Sequence, residues 1–282
     1  MAPLTEQRLQ EVREHEPACS QPAPVIIVHN NAMVTIGDSW YESSTIGSNV
    51  DLVARYQSST PVHSIWSGEF YTIEVDVTRD EDKIFGGFGK TNRYKVSRAE
   101  KRDNLLYQWW HKDAENVLDE FMDFFASFAR GVGLQVPQKD WLSDYARAGV
   151  LDISRVCDEN GLTLCWHTHY RGERRARLFH SASSFRDYTD PAMRSLTGRA
   201  NRYHHWRDML RFKDAGLTSY DFGGWYEGNS DPDRLRINSF KEEFGGYLVK
   251  TFNSIQPVTL LGRAYLVGRL VRHPSRRLMH MV

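Results

Sequence analysis

The order of apolar and polar positions predicts a chain in which strands and helices alternate. Short runs of alternating apolar and polar residues, rich in β-branched and aromatic types, favour strands. Longer runs with apolar residues three and four positions apart favour helices, most clearly from 117 to 128. The strands are predicted at 25–28, 33–36, 70–77, 105–110, 162–170, 176–182 and 217–222. The helices are predicted from Asp80 with a break near Gly89, and at 117–128, 141–148, 193–198, 203–215 and 237–244.

Composition narrows the class of protein. The chain has 282 residues, enough for one large domain or two small ones. Its formal net charge is +0, so nothing in the overall charge favours nucleic acid, and we predict no DNA partner. The 3 cysteines, Cys19, Cys157 and Cys165, have no C-x-x-C spacing. This argues against a disulfide framework or a zinc site and predicts a reducing compartment.

The ends of the chain carry no evident targeting signal. No apolar run reaches transmembrane length, and the N-terminus lacks a signal-peptide core, so a cytoplasmic location is predicted. Residues 1–24 are charged and contain four prolines, which predicts a flexible tail. The segment after Glu243 contains no acidic residue and several Arg residues. It can dock on its own domain, on anionic lipid as a peripheral membrane contact, or on RNA; docking on the domain is our prediction.

One stretch, from Tyr220 to Tyr247, is bracketed by two Gly-Gly pairs. A strand that ends at Gly223-Gly224 can turn sharply or let a ligand approach its backbone. A polar loop at 227–233 follows, and then a short helix with Asn238 or Ser239 as its predicted N-cap. Gly245 stands where a helix C-terminal cap belongs. By itself this pattern predicts a β-turn-α corner, which is common in α/β proteins.

Three motifs occur in the order found in a known family. They are Y-D-F-G-G followed by F-K-E-E-F-G-G, the basic stretch K-T-N-R-Y-K-V-S-R-A-E-K at 90–101, and N-R-Y-H-H-W at 201–206. Together they resemble the FemAB-type aminoacyl and acyl transferases over roughly residues 70 to 250. The resemblance implies an α/β (α+β) fold of the GNAT type, in which helices flank a mixed, mostly antiparallel central sheet. We accordingly predict a β-rich part with a basic helix at 25–100, a GNAT-like domain at 101–250 and a basic segment at 251–282.

The resemblance also implies an activity and a set of site residues. The activity is N-acyl or N-aminoacyl transfer, without a bound cofactor, from aminoacyl-tRNA or acyl-coenzyme A to an amine. The acceptor is a cell-wall precursor, an amino sugar or a small molecule, and exopolysaccharide pathways are included. The Phe240-Lys241 pair is implied to lie at the reacting carbonyl, where a cation stabilises the oxyanion. The residues implied to bind substrate are Tyr220, Gly223, Gly224, Arg93, Arg199, Asn201, Tyr203, Trp206 and Gly245.

Asp221 has two interpretations, because it precedes the Gly-Gly turn. Its carboxylate can accept a proton from the attacking amine, or it can hold the turn through an Asx hydrogen bond. We favour the structural role. Tyr220 is its neighbour on a strand, so the two side chains are predicted to point to opposite faces.

The segment 171–213 is dense in Arg, which suits a phosphate-rich ligand, although a solvated face explains about half of such residues. Acetyl-coenzyme A enzymes of this fold hold pyrophosphate at a glycine-rich loop after a strand. The only similar run here, Arg130-Gly131-Val132-Gly133, follows a helix and has the wrong spacing. The lack of such a loop in the sequence modestly favours aminoacyl-tRNA over acyl-coenzyme A as the donor.

Histidines supply the remaining candidate chemistry. His167 and His169 share one face of a strand, but no third ligand has supporting spacing, so we predict no metal site. His204 and His205 are predicted to lie on a helix surface. The alternative to an enzyme is a GNAT-like module that binds a glycan or nucleotide-sugar without turnover; the intact F-K-E-E-F-G-G motif argues against it. The fold prediction requires the strand at 217–222 to be central and the hairpin at 162–182 to share its sheet.

Overall fold

The structure is a computed structural model that describes residues 26–31, 33–41, 49–62 and 64–272, with only the backbone given for Leu270 and Arg272. The predicted tail at 1–24, most of a predicted loop at 43–49 and the last ten residues of the basic segment lie outside the described residues. The chain divides into two compact units. The first unit contains the chain up to Thr72 and from Leu248 onward, and the second runs from Ile73 to Tyr247.

The elements are numbered in chain order. The strands are β1 (Ile26–Asn31), β2 (Val34–Trp40), β3 (Leu52–Ser58), β4 (Trp66–Asp76), β5 (Leu106–Trp110), β6 (Leu151–Cys157), β7 (Thr163–Arg171), β8 (Arg175–Ser183), β9 (Ser219–Gly224) and β10 (Tyr247–Pro257). The helices are α1 (Glu81–Gly86), α2 (Lys90–Arg102), α3 (Leu118–Val132), α4 (Lys139–Arg147), α5 (Pro191–Asp214), α6 (Pro232–Glu242) and α7 (Leu260–Arg272). None of the helices in the described part of the chain combines the length and the apolar character needed to cross a membrane.

The first unit is a sheet with one helix packed on it. Its strand order is β1-β2-β3-β10-β4, and only β2 and β3 have a parallel register among the pairs whose register is described. The first two predicted strands are present as β1 and β2, which pair antiparallel. Leu266 of α7 lies in its apolar core with Val34, Ile36, Leu52 and Ile255. The segment that follows β10 therefore packs on strands from the start of the chain.

The second unit has the strand order β4-β9-β8-β7-β6-β5. β5 to β8 form an antiparallel run, and β9 pairs with β8 in parallel. The strand predicted at 217–222 is thus internal to the sheet, and the predicted hairpin is β7–β8 in the same sheet. The predicted fold class, helices flanking a mixed and mostly antiparallel sheet, is confirmed.

Helices cover both faces of this second sheet because the strands alternate their apolar side chains. On one face α5 packs Trp206, Met209 and Phe212 against the strands. On the other face the rings of α3 and α4 meet β7 and β8, as in the contacts of Phe121 with Trp166 and of Tyr145 with Phe179. Both faces of the strands between them are therefore largely closed to water.

Two helices have bounds that differ from the predicted ones. The helices predicted at 193–198 and 203–215 are one continuous helix, α5, capped by Asp190 with Pro191 in its first turn. α6 begins at Pro232 after the N-cap Asp231, five residues before the predicted start at Ile237, so the predicted caps Asn238 and Ser239 are wrong. Both helices start at an Asp followed by Pro, which is a strong N-terminal signal. The predicted break near Gly89 is confirmed, since α1 ends at Gly86 and α2 starts at Lys90.

Gly245 is required by both its backbone conformation and its surroundings. Its φ is +71°, and a Cβ there would lie 2.7 Å from the carbonyl carbon of Gly87. Gly216 has a similar φ of +82°, but a Cβ there would meet no atom within 4 Å.

We expect Gly245→Ala to lower the free energy of unfolding by about 3 kcal/mol and Gly216→Ala by about 1 kcal/mol, because only the first adds a clash to the left-handed strain. Urea denaturation of both variants checks this; equal losses would contradict the close packing at Gly245.

Candidate functional site

Lys241 ties the end of α6 to the end of β9. Its Nζ donates hydrogen bonds to the carbonyl oxygens of Gly224 at 2.5 Å and Gly223 at 3.3 Å. The residue is only 8% exposed. The predicted caps Asn238 and Ser239 put Lys241 near the start of a helix; it lies in the last turn of α6 and is buried. Two glycine carbonyls at a strand end can approach an ammonium this closely because no side chain intervenes.

The surroundings of Lys241 lower its pKa toward neutral pH. Burial lowers the pKa of Lys241 to about 8, while Asp221 opposes this shift and Arg177 adds to it. An ammonium has three N–H donors. The two glycine carbonyls occupy two of them, and the third has no hydrogen-bond partner within the described part of the chain. Lys241 is therefore a buried cation with one N–H that no described residue uses.

Asp221 holds the turn that Lys241 contacts. The backbone N–H of Gly223 donates to Asp221 Oδ1 at 2.6 Å, which confirms the predicted Asx hydrogen bond. Gly223 has a φ of +73°, a conformation that glycine adopts without strain. The Asp221 side chain is fully buried, and Arg175 Nη1 lies 4.0 Å from its Oδ2. Asp221 therefore links the turn to Arg175, which forms an ion pair with another carboxylate.

That ion pair joins Arg175 to Glu74, a residue that the sequence analysis missed. Arg175 Nη1 lies 2.8 Å from Glu74 Oε1, and Ser219 Oγ donates to Glu74 Oε2 at 2.5 Å. Burial raises the pKa of Glu74 to about 7 against the opposing effect of Arg175. The available signal was local: Glu74 stands between the apolar residues Ile73 and Val75 in β4. A carboxyl group buried in this way is either paired with a cation or protonated.

The strand register explains why these groups meet. Arg175 pairs with Ser219 and Arg177 with Asp221, so their side chains project from the same face of the sheet. The described parallel register ends at the Arg177–Asp221 pair, although β8 and β9 both continue. We refer to the charged side chains that meet here as the Lys241 cluster. Its members are Glu74, Arg175, Arg177, Asp221 and Lys241.

Trp225 is a second feature at this turn that sequence reasoning did not single out. Its indole Nε1–H is buried and has no hydrogen-bond partner among the described residues. Asn238 of α6 fixes the adjoining backbone by accepting from the N–H of Tyr226 and donating to its carbonyl oxygen. The signal was the position of an amphipathic Trp directly after Gly223-Gly224. A buried indole N–H commonly has a partner, which makes this donor a candidate ligand contact.

The other residues implied to bind substrate are not gathered with Lys241. Tyr220 points to the α5 face, as predicted from alternation. Phe240 packs in the aromatic core beside His205 and Phe244. The rest are placed as follows: Tyr203 and Trp206 are buried in α5 packing, Asn201 bonds His167, Arg199 pairs with Asp103, Arg93 bonds the carbonyls of Gly86 and Phe88, and Gly245 packs on Gly87.

A buried network of histidines lies on the α5 face of β9. Asp208 is its centre: His167 Nδ1 lies 2.7 Å from Asp208 Oδ2, and Tyr107 and Ser154 donate to Oδ1. The Tyr220 hydroxyl lies between His169 Nε2 at 3.1 Å and His205 Nδ1 at 2.9 Å. The prediction that His204 and His205 lie on a helix surface is wrong, since both are fully buried.

Burial controls the charge of this network. It lowers the pKa of His169 to about 4 and holds the pKa values of His204 and His205 well below their ordinary range. Burial opposes the charge on Asp208 as well, but His204, His169 and His167 outweigh it and hold its pKa below the usual range. The network therefore contains largely neutral imidazoles around one carboxylate.

The same groups include a set that can hold a metal ion. Donor atoms of His167, His169 and Asp208 lie within 4.8 Å of one another, and two imidazoles with one carboxylate suit zinc. The sequence supplied the two histidines but not Asp208, which is remote in the chain and enters only through α5. Each of the three already has a hydrogen-bond partner in the network.

The predicted Arg-rich surface is largely used inside the protein. Arg171 pairs with Asp152, Arg202 pairs with Glu243, and Arg211 stacks 3.8 Å above the ring of Trp109. A smaller cationic surface remains where α2 meets α5. It lies around Tyr94, whose pKa is lowered by its hydrogen bond with Arg98 and by Arg98, Arg102 and Arg199. We refer to it as the α2–α5 patch. It consists of Tyr94, Lys95, Arg98 and Arg102 of α2 and, at its edge on α5, Arg199 and Arg202, which are also paired with Asp103 and Glu243.

Comparison with known proteins identifies the fold. Neither a protein-family model nor a curated protein sequence matches the chain. Among solved structures, FemX has a TM-score of 0.60 at 12% sequence identity, covering 86% of this chain and 85% of FemX. The C-terminal domain of a protein described as a lysylphosphatidylglycerol synthetase from Agrobacterium fabrum has a TM-score of 0.53 at 12% identity, covering 88% of this chain and 86% of that one. The chain therefore shares their fold, and the FemAB-type fold implied by the motifs is confirmed.

The histidine network makes stability depend on pH. A His with a folded pKa of about 4 is protonated first in the unfolded state as the pH falls, so its contribution is complete above pH 6.5 and is lost toward pH 4. We expect the stability of the wild type to fall by about 2 kcal/mol, relative to His169→Gln, between about pH 7.5 and about pH 5. Glu74 has the opposite sign in both proteins, so this difference isolates His169.

Urea denaturation of the two proteins at both pH values measures that difference. The glutamine retains a donor for the Tyr220 hydroxyl but does not titrate. A stability difference that stays constant between the two pH values would show that His169 is protonated in the folded protein as readily as in the unfolded one.

Proposed function

We propose that the protein transfers an acyl or aminoacyl group from an activated donor to an amine. The observation that carries the proposal is Lys241: a buried cation at the end of an internal strand, with one N–H donor unused by the described residues. The fold shared with FemX supports the proposal, and Lys241 belongs to the F-K-E-E-F-G-G motif on which the resemblance depends.

The chemistry requires no covalent enzyme intermediate. An amine nitrogen attacks the carbonyl carbon of an ester or thioester, and a tetrahedral oxyanion forms. The C–N bond remains as the C–O or C–S bond breaks, and a proton lost by the amine balances the charge on the leaving oxygen or sulfur. In the proposal, Lys241 Nζ–H donates to the oxyanion, and its charge opposes the negative charge that develops. The protein otherwise positions the two substrates.

The rest of the Lys241 cluster keeps that cation in place. Asp221 raises the proton affinity of Lys241 and also fixes the Gly223 turn through the Asx hydrogen bond. Arg175 links Asp221 to Glu74, so the buried carboxylates have a cation between them. We assign Asp221 a positioning role rather than the role of a general base, since its Oδ1 already accepts the N–H of Gly223. The Trp225 indole N–H is a second candidate donor for a substrate oxygen.

The α2–α5 patch is the proposed contact for the donor. It combines cationic side chains with the exposed ring of Tyr94, which suits a phosphate-rich molecule that also carries a base. Aminoacyl-tRNA and acyl-coenzyme A both have this chemistry. The absence of a glycine-rich pyrophosphate motif in the sequence favours aminoacyl-tRNA. The acceptor is proposed to be an amine on a cell-wall precursor, an amino sugar or a small molecule, and the cytoplasmic location stays a prediction.

Lys241→Met tests the catalytic assignment. It removes the cation but retains side-chain length, so we expect turnover to fall roughly 10²–10³-fold, comparable to the removal of one oxyanion donor. Donor affinity should change little, because the charge that Lys241 opposes develops only in the transition state. Transfer of a labelled aminoacyl or acyl group to a panel of amine acceptors measures turnover, and titration measures affinity.

Lys213→Met is the matched control. Lys213 Nζ also donates to backbone carbonyls, those of Val77, Thr78 and Arg79, but it lies outside the Lys241 cluster. Both variants lose hydrogen bonds to carbonyls, so both are expected to lose stability. Only Lys241→Met should lose turnover at a temperature where both are folded. Equal turnover in the two variants would reduce Lys241 to a structural tie and would favour the non-catalytic binding module.

Donor binding is expected to depend on salt and on the α2–α5 patch. Each neutralised phosphate releases counterions, so affinity should fall steeply as ionic strength rises. We expect Arg98→Glu to weaken binding of tRNA, and Arg236→Glu, which reverses an exposed charge on α6, to have little effect. Fluorescence titration of tRNA and of coenzyme A at two salt concentrations distinguishes the donors. Binding that is insensitive to both salt and Arg98→Glu would exclude the patch as the donor contact.

A further inference from the structure

Helix α7 exposes an apolar stripe that no described residue covers. Leu260, Ala264, Val267 and Val271 follow one another at helical spacing, so they lie on one side of the helix. Leu260, Val267 and Val271 are 85%, 47% and 76% exposed, and Ala264 is exposed as well. Leucine and valine at such exposures on one helical face are unusual for a surface that water alone contacts.

The opposite side of α7 is fully used by the first unit. Leu266 is completely buried in its core, and Tyr265 packs beside it. Gly262 lies so close to the backbone of Asp51 that a Cβ there would be 2.8 Å from its carbonyl carbon. The helix is thus held firmly by one face, and the stripe on the other face is presented outward by a fixed support.

The α7 segment and the sequence that follows it carry charge of one sign. From Gly245 to the end of the chain the sequence contains six cationic residues and no Asp or Glu, although the whole chain has a net charge of +0. Arg263 is exposed beside the stripe, and Arg269 donates from Nη1 to the Tyr265 hydroxyl at 3.0 Å. The six residues are Lys250, Arg263, Arg269, Arg272, Arg276 and Arg277.

We propose that α7 is a docking helix that lies on an anionic lipid surface. An apolar stripe flanked by Arg and free of acidic residues suits the boundary between anionic headgroups and acyl chains: the stripe enters the apolar layer, and the guanidinium groups bind phosphate. With 13 residues, α7 is shorter than the about 20 residues needed to span a bilayer, so the helix lies along the surface.

The charge pattern favours lipid over the other possible occupants. A second copy of the chain would bring an equally cationic, acid-free segment against this one, which is repulsive. Residues 273–282 carry two further Arg residues and no acidic residue, so they complement the face no better. RNA would satisfy the Arg residues but would leave the stripe of Leu and Val in water. An anionic bilayer satisfies both the apolar and the cationic groups.

Vesicle flotation of the full chain tests the proposal. We expect the wild type to float with vesicles of phosphatidylcholine mixed with phosphatidylglycerol, to remain unbound with phosphatidylcholine alone, and to be released by salt. The double variant Val267→Glu, Val271→Glu should partition at least roughly tenfold more weakly for each valine replaced, because each change removes buried apolar area and adds a repelled charge.

Met33→Glu is the matched control, since Met33 is 71% exposed in the same unit but lies outside α7. It should float like the wild type, and all variants should melt at the wild-type temperature because the replaced side chains are exposed. The proposal is overturned if the wild type does not bind anionic vesicles, or if the double variant binds as well as Met33→Glu. A concentration-dependent dimer that only the double variant abolishes would assign the face to a second copy instead.

Discussion

The hydrogen bonds from the Lys241 ammonium to the carbonyls of Gly223 and Gly224 are the constraint on which the candidate site depends. They join the last turn of α6 to the end of β9, so the loop between them is closed at both ends. A buried ammonium is costly unless its donors are used and its charge is opposed. The strand supplies the carbonyls, and Asp221 supplies the opposing charge two residues earlier. The geometry of the turn and the charge state of Lys241 therefore depend on each other.

The internal strand β9 separates two buried polar systems. Asp221 points to the face that carries Glu74, Arg175 and Lys241, whereas Tyr220 points to the face with the histidines and Asp208. In one system acidic and cationic side chains face one another, and in the other burial favours the neutral forms of His169, His204 and His205 near one carboxylate. Both are dense networks that low dielectric strengthens when every member is paired. A small displacement of β9 would disturb both polar networks at once. The two networks therefore oppose such a displacement and hold the turn at the end of the strand.

Helix α7 in the first unit also has two different sides: one is fixed in the core and the other is exposed. The distribution of charge along the chain matters here. The net charge is +0, but all charged residues beyond Gly245 are cationic and all acidic residues precede it. A local cationic surface of this kind acts over about a Debye length, so the net charge of the chain does not cancel it. The support from Leu266 and Gly262 determines which side of the helix remains outward.

The sequence by itself determined the features that depend on neighbours in the chain. Alternation located β4, the β7–β8 hairpin and β9, and the glycine pairs located the turn at Gly223 and the end of α6 before Gly245. The spacing of three motifs was enough to imply the fold. Asp221 was correctly interpreted as the holder of its turn, because an Asx hydrogen bond spans two residues.

Only the tertiary structure decided which polar residues are buried and with what partners. His204 and His205 were expected to lie on a helix surface, and nothing in the local pattern showed that Lys241 is buried. All three are buried because partners from other elements contact them. Glu74 and Arg175 are 101 residues apart, and His167 and Asp208 are 41 apart. A local pattern records the cost of burying such groups but not the partner that offsets it, since that partner is brought in by strand order and helix packing.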